Sequence, residues 1–329
     1  MNKTRLISDK AVRAAISIPE LIPVMDQVFT GVSNGTIRVL PRNSVFHENG
    51  NIMAIMASSH PDENICGCKV AKVAMFPGPA TAAAGTAQSV ILLFSVDSGE
   101  LQAIVSADYI TVARTAAATA AATDRLARKD ARVLCLLGSG TQSMAHAEAI
   151  CAVRDVKEIR LWSRTSERLE RACSRLRKQC PACKITGFTQ TEEAVDGADI
   201  VCTVSKAREP ILKGEWLAPG CHVNAIGACG PIFREIDESV LERSKVFVDS
   251  MDTAMASAGD LLIPMKNGLF TKEQILGEIG QCGREAWIGR TTDDPEAITL
   301  FESCGLSAQD VAAAKVVLDR VGNGGSFAF

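Results

Sequence analysis

A glycine pair set between an apolar run and a helix-forming stretch is the part of this sequence best suited to chemistry. Val133-Leu-Cys-Leu-Leu137 leads straight into Gly138-Ser-Gly140-Thr141-Gln142-Ser143. The first glycine permits a tight turn, and the second lets a pyrophosphate approach the backbone. The helix that follows offers unpaired N–H groups and a positive dipole end to the phosphates. The third position is Ser143 rather than glycine, still small enough for close packing. A bare G-x-G carries little weight. Preceded by a strand and followed by a helix and further βα units, it specifies a dinucleotide-binding loop. The next apolar run ends Trp162-Ser163-Arg164-Thr165. An acidic residue at that tip would bind the 2′-hydroxyl of NAD(H), whereas a guanidinium and two hydroxyls suit a 2′-phosphate. NADP(H) is therefore the preferred cofactor, with NAD(H) as the alternative. The plainer reading of Arg164 is a solvated loop residue.

Other chemistry-bearing types are sparse or sit in plain surroundings. The chain has twelve cysteines and four histidines. Cys135, Cys151, Cys173, Cys202 and Cys221 lie in apolar or helical stretches, where a thiol behaves as a small buried hydrophobe. Cys180-Pro-Ala-Cys183 has the C-x-x-C form, but no second pair or histidine cluster completes a four-ligand zinc site. No metal centre is expected.

The elements that must position the loop follow from periodicity. Ser17-Ile-Pro-Glu20 has the form of a capping box, and Leu21, Ile22, Met25, Val28, Phe29 and Val32 continue at helical spacing until Gly35. From Arg42 to Val105 the pattern is that of strands, at 51–58, 69–75, 89–96 and 101–105, the last two joined through Asp97-Ser98-Gly99. Asp108 to Ala127 reads as one long alanine-rich helix. Beyond it the rhythm alternates. Strands are expected at 132–137, 158–162, 184–188, 200–204, 222–226 and 246–249, with helices at 141–152, 166–179 and 191–195. Such alternation demands a parallel sheet covered on both faces. A last helix at 307–321 comes after that sheet is complete.

The bulk numbers bound the class. A chain of 329 residues with 47% hydrophobic and 22% charged residues is globular and long enough for two domains. A net charge of -3 leaves no basic field for nucleic acid. Apolar runs such as Val90 to Phe94 are too short to cross a bilayer. Met-Asn-Lys-Thr-Arg is not followed by an apolar signal segment, so a cytoplasmic location without a disulfide framework is expected.

Read together, several stretches resemble the ornithine cyclodeaminase/mu-crystallin family over nearly the whole chain. They are Arg114-Thr-Ala-Ala117, Val133 to Gly140, Glu158 to Thr165, Glu209-Pro-Ile-Leu-Lys-Gly-Glu-Trp216, Asn224-Ala-Ile-Gly-Ala228 and Arg234-Glu-Ile-Asp237. They look more like the mu-crystallin (ketimine reductase) branch than the cyclodeaminases. The resemblance implies an α/β homodimer in which a Rossmann domain, 118–302, is inserted in an α+β substrate and dimerisation domain, 1–117 plus 303–329. It implies that Arg42 and Arg114 grip a substrate carboxylate and that Lys69 lies near the reacting carbon. Guanidinium forks suit the first task, and an ammonium could deliver a proton in the second. The segment to Phe76-Pro77 runs two residues long, which makes Lys72 a rival on the opposite strand face. Taken singly, each of these basic residues reads equally well as an exposed charge.

The resemblance also places Thr115 near the cofactor phosphate, and adds Val204, Ala225, Ile226 and Gly227 to the cofactor-lining set of Gly138, Gly140, Thr141, Gln142, Ser163, Arg164 and Thr165. Cys229 stands where cyclodeaminases and related archaeal alanine dehydrogenases have aspartate. A neutral thiol accepts a proton poorly near pH 7, so Cys229 reads as a small substrate-lining residue. The implied activity is NAD(P)H-dependent reduction of a cyclic ketimine carboxylate. The alternatives are a cyclodeaminase or amino-acid dehydrogenase, or an NADPH-gated binding protein of the thyroid-hormone-binding kind.

Overall fold

The computed structural model describes residues 4–48, 51–74, 87–281, 294–322 and 326–327. The Phe76-Pro77 segment and Met75 fall outside them. The chain divides into two compact units, one of Met1–Thr115 with Leu306–Phe329 and one of Ala116–Gly305.

The first unit begins with β1 (Thr4–Ile7), α1 (Asp9–Ala15) and α2 (Ile18–Asn34), followed by β2 (Arg38–Val39), β3 (Asn43–Phe46) and β4 (Asn51–His60). It continues through β5 (Ile65–Ala74), β6 (Ala87–Ser95), β7 (Leu101–Ser106) and the start of α3 (Asp108–Leu126). The stripe on α2 is the one its spacing foretells: Leu21, Met25, Val28 and Phe29 are buried. Each such side chain contributes roughly 1.5–3 kcal/mol of burial. At its start the Glu20 carboxylate accepts from the Ser17 N–H at 3.1 Å and from the Ser17 hydroxyl at 2.7 Å. Gly35 ends it at φ 76°, a left-handed value that a glycine adopts without strain.

The sheet of this unit runs β16-β1-β7-β6-β5-β4-β2, where β16 is Ser326–Phe327, with β3 paired to β4. All of its pairs are antiparallel except β1 with β7. One face is covered by a helix from the far end of the chain, the last of ten α-helices among the described residues. This is α10 (Ser307–Arg320), which packs on β4, β5 and β6 and against α2. Ser307 donates its hydroxyl proton to Ala57 O at 2.7 Å. Gly67 on β5 permits the approach: a Cβ there would meet Leu92 O at 2.4 Å and Val311 Cγ2 on α10 at 3.3 Å.

The second unit contains the rest of α3, then β8 (Val133–Leu137), α4 (Thr141–Val153), β9 (Glu158–Trp162), α5 (Ser166–Gln179), β10 (Lys184–Phe188), α6 (Thr191–Val195) and β11 (Ile200–Thr203). After these come β12 (His222–Ala225), α7 (Glu238–Arg243), β13 (Ser244–Val248), α8 (Met251–Ser257), α9 (Gly259–Lys266), β14 (Ile275–Glu278) and β15 (Ile298–Glu302). The sheet order is β10-β9-β8-β11-β12-β15-β13-β14, and every pair is parallel. This is the doubly wound Rossmann arrangement. Strand order reverses between β8 and β11, and the crevice beyond the carboxyl ends of those strands is where such sheets take a nucleotide.

Candidate functional site

Each unit carries one cluster of functional groups. In the second, Gly138 follows β8 at φ 143°, and a Cβ there would come within 2.8 Å of Val204 O, so only glycine fits the turn beside β11. Gly140 is the N-cap of α4, without a side-chain cap bond. A Cβ on it would meet nothing within 4 Å. Its own neighbours do not demand a glycine, whereas an approaching phosphate would. Ser143 donates to Gly138 O at 2.7 Å, so the third position of the motif closes back on the loop. Thr141 is exposed, and Gln142 has a buried Oε1 without a hydrogen-bond partner among the described residues. Uncapped helix N–H groups and open space at Gly140 together fit a bound dinucleotide pyrophosphate.

The tip of β9 is tied to this loop. Ser139 and Ser163 hydroxyls are 2.9 Å apart, while Arg164 and Thr165 are exposed. Across the switch point, Val204 N–H bonds Leu137 O at 3.1 Å, and Ile226 N–H bonds Thr203 O at 3.1 Å, next to buried Ala225. Gly227 N–H donates to Glu235 Oε2 at 2.7 Å, and a Cβ on Gly227 would lie 2.4 Å from that same oxygen. Glu235 Oε1 accepts from the Ser205 N–H and hydroxyl at 2.6 and 2.5 Å. One fully buried carboxyl thus clamps the loops that follow β11 and β12. Burial and the neighbouring Asp260 push its pKa up to about 8. Glu235 was not among the candidate residues, although it sits in the Arg234-Glu-Ile-Asp237 stretch.

Cys229 is half-buried, and its thiol donates to Ile226 O at 3.0 Å. Cys304 is hydrogen-bonded to it, and the buried Glu302 nearby is held well above the usual carboxylate range by burial and acidic neighbours. The thiol is thus placed as a donor to a main-chain carbonyl.

In the first unit the sequence-selected basic residues meet a partner. Lys69 on β5 and Arg114 on α3 are each 5% exposed, and both bond the fully buried Asp310 of α10. Lys69 Nζ lies 2.7 Å from Oδ2, and Arg114 Nε lies 3.0 Å from Oδ1. Arg114 Nη1 also donates to Gln309 Oε1 at 2.7 Å. Two of its five N–H donors are therefore fixed in these bonds. Burial lowers the Lys69 pKa to about 8, with Asp310 pulling it upward and Arg114 and Arg42 pushing it down. Arg42, just before β3, is thus near enough to act on the same ammonium. Lys72 lies three residues along β5 on the less buried face, so Lys69 rather than Lys72 joins the cluster. Thr115 follows Arg114 on α3 and donates its hydroxyl proton to Thr111 O at 2.7 Å.

The family model described as "Ornithine cyclodeaminase/mu-crystallin family" matches residues 2–325. This chain belongs to that family. Ketimine reductase mu-crystallin of Rattus norvegicus is 31% identical over 318 residues, covering 97% of this chain and 96% of the relative. The structure of Thermococcus litoralis Δ1-pyrroline-2-carboxylate reductase in complex with NADH and L-proline superposes with a TM-score of 0.91 at 28% identity, covering 96% of this chain and 97% of that one. An archaeal alanine dehydrogenase dimer with bound NAD follows with a TM-score of 0.89 at 29% identity, covering 97% and 96%. The α/β fold with a Rossmann unit is common to these structures.

Proposed function

We propose that this chain is an NADP(H)-dependent reductase of cyclic ketimine carboxylates that turns Δ1-pyrroline-2-carboxylate or Δ1-piperideine-2-carboxylate into proline or pipecolate, working as a homodimer. The observation that carries this reading is the buried Lys69–Asp310–Arg114 cluster. It sets two cations against the one carboxylate of Asp310, an excess of positive charge that a substrate carboxylate would balance. The names of the mu-crystallin and pyrroline-carboxylate reductase relatives support the same reading. The alanine dehydrogenase relative is a dimer, which supports the assembly.

When bound, the nicotinamide supplies the hydride that the imine carbon accepts. Arg114, held by Asp310 and Gln309, offers its remaining N–H donors to the carboxylate, and Arg42 adds a second guanidinium. Orientation of this kind removes much of the entropic barrier to reaction. Lys69, mostly charged at pH 7, donates a proton toward the ring nitrogen as the carbon is reduced. Its pKa of about 8 lies close to neutrality, where a general acid is most effective. Cys229, whose proton is already given to a carbonyl, has no base role, and this disfavours amine activation as in a cyclodeaminase. NADP(H) is preferred because the exposed tip Arg164-Thr165 carries a guanidinium and a hydroxyl and no carboxylate.

The test is NADPH and NADH oxidation with both imines, alongside ammonia release from ornithine with NAD+. The expected result is imine-dependent NADPH oxidation that falls at least a hundredfold in Lys69→Ala and Arg114→Ala. Ornithine deamination in place of imine reduction would overturn the reading. Arg164→Ala should raise the KM for NADPH and leave that for NADH unchanged.

A further inference from the structure

A thiol cluster outside both sites is built from the C-x-x-C motif and a third cysteine that the fold brings to it. Cys180 caps α5, its N–H bonded to Leu176 O at 2.7 Å, and Cys183 N–H returns to Cys180 O at 3.1 Å. Gln179 Nε2, one residue earlier, donates to Met144 O at 3.0 Å and to Glu148 Oε2 at 3.3 Å, docking the end of α5 onto α4. Cys151 lies about one helical turn beyond Glu148. Cys183 donates its thiol proton to Val156 O at 3.3 Å, just past the end of α4, and the Cys151 thiol is thereby set to interact with those of Cys180 and Cys183. All three are free thiols, Cys151 and Cys183 half-buried and Cys180 8% exposed. The hydrogen bond from Cys151 holds the Cys180 thiol below its ordinary value, which favours the thiolate, the nucleophilic form.

We propose that Cys151, Cys180 and Cys183 form a modification site that takes a low-molecular-weight disulfide and closes an internal disulfide between Cys180 and Cys151. The Cys180 sulfur attacks one sulfur of RS–SR, forming a mixed disulfide while the other RS⁻ leaves and takes up the Cys180 proton. Cys151 then loses its proton and attacks the Cys180 sulfur, and the second RS⁻ leaves as RSH. Two protein thiols are oxidised and one small disulfide is reduced to two thiols, so electrons and protons balance. Closing the bridge brings the two sulfurs to about 2.05 Å.

The experiment incubates the full-length protein with glutathione disulfide, blocks remaining thiols with iodoacetamide under denaturing conditions, and digests with trypsin without reduction. Cleavage after Arg132, Arg154, Lys178 and Lys184 places Cys151 on Val133–Arg154 and the motif on Gln179–Lys184. The expected product is these two peptides joined through Cys151 and Cys180, with Cys135 and Cys183 alkylated, and released by dithiothreitol. The link should vanish in Cys151→Ser and in Cys151→Ala, checked for native circular dichroism. Separate, fully alkylated peptides in the wild type would overturn the proposal. So would a bridge confined to Gln179–Lys184, a persistent glutathione adduct, or a link that survives in both variants.

Discussion

Burial drags the Lys69 ammonium down to about 8, and of the charged neighbours that act on it only Asp310 pulls it back up. If Lys69 is the proton donor, kcat/KM for imine reduction is flat below that value and falls about tenfold per pH unit above it. Replacing Asp310 by Asn removes the favourable charge, so the falling limb shifts to lower pH. The imine's own titration is common to both profiles, and the difference between wild type and Asp310→Asn isolates the lysine. An unshifted limb in the variant would separate Lys69 from the pH dependence. The same substitution leaves two buried cations without their carboxylate, a change that costs about 3–5 kcal/mol in comparable pairs. Deprotonation of Lys69 recovers part of that loss, so the urea midpoint should drop less at pH 9 than at pH 6. Lys69 and Arg114 were accessible to sequence reading because each lies in a recognisable stretch. Asp310 was not, since an aspartate among alanines on a late helix looks like a solvated charge. Its arginine partner is 196 residues away, and only tertiary packing makes them neighbours.

The loops after β11 and β12 depend on one buried carboxyl, and that dependence has a pH signature. Glu235 titrates near pH 8 in the folded chain against 4.5 for an ordinary glutamate. The folded state therefore binds the extra proton, and stability is full below about pH 4.5 and declines as pH rises toward 8. Asp260, raised by burial to about 6, and Glu302, raised further, act in the same direction. The melting temperature should fall between pH 5 and 8, with a shallower slope in Glu235→Gln. That variant loses the bond from Gly227 N–H, and the orphaned donor costs roughly 1–3 kcal/mol. Gly227→Ala is harsher, since a Cβ would lie 2.2 Å from Ser205 O. Nucleotide titration followed by fluorescence should show at least tenfold weaker NADPH binding there. At this scale α4 to α6 and the strands β8 to β13 were readable because glycine loop, strand and helix are local signals, whereas the short helices α7 to α9 were not foreseen. Strands β14 and β15 were not foreseen. β15 is buried along its whole length, so it shows no alternation, and β14 is four residues ending a polar stretch. Their places in the sheet come from partners far away in the chain.

The first unit is discontinuous, and its completion by the chain's last segment makes folding and site assembly one event. The strands β4, β5 and β6 have a face built for α10, with Gly67 lacking the side chain that would block it. Helix α10 brings Gln309 and Asp310, and β16 pairs with β1 at the sheet's edge. A chain ending at Gly305 would lose both elements at once. It would expose the apolar face and leave Lys69 and Arg114 without the Asp310 counter-charge. By contrast, all eight strands of the second unit's sheet, and the hydrogen bonds of its glycine loop, lie within Ala116–Gly305. Truncation should therefore separate the two units by stability. The chain 1–305 should retain measurable NADPH binding with a distinct cooperative transition for the nucleotide unit, yet show no imine reduction and strong binding of an apolar dye. A single transition with wild-type activity would mean that the returning helix is dispensable. Loss of nucleotide binding together with activity would instead mean that the Rossmann unit depends on the completed first unit. Supplying 306–329 as a separate peptide distinguishes the packing role of α10 from its chemical one. Wild-type peptide should restore activity, and peptide with Asp310→Asn should suppress dye binding while restoring little turnover.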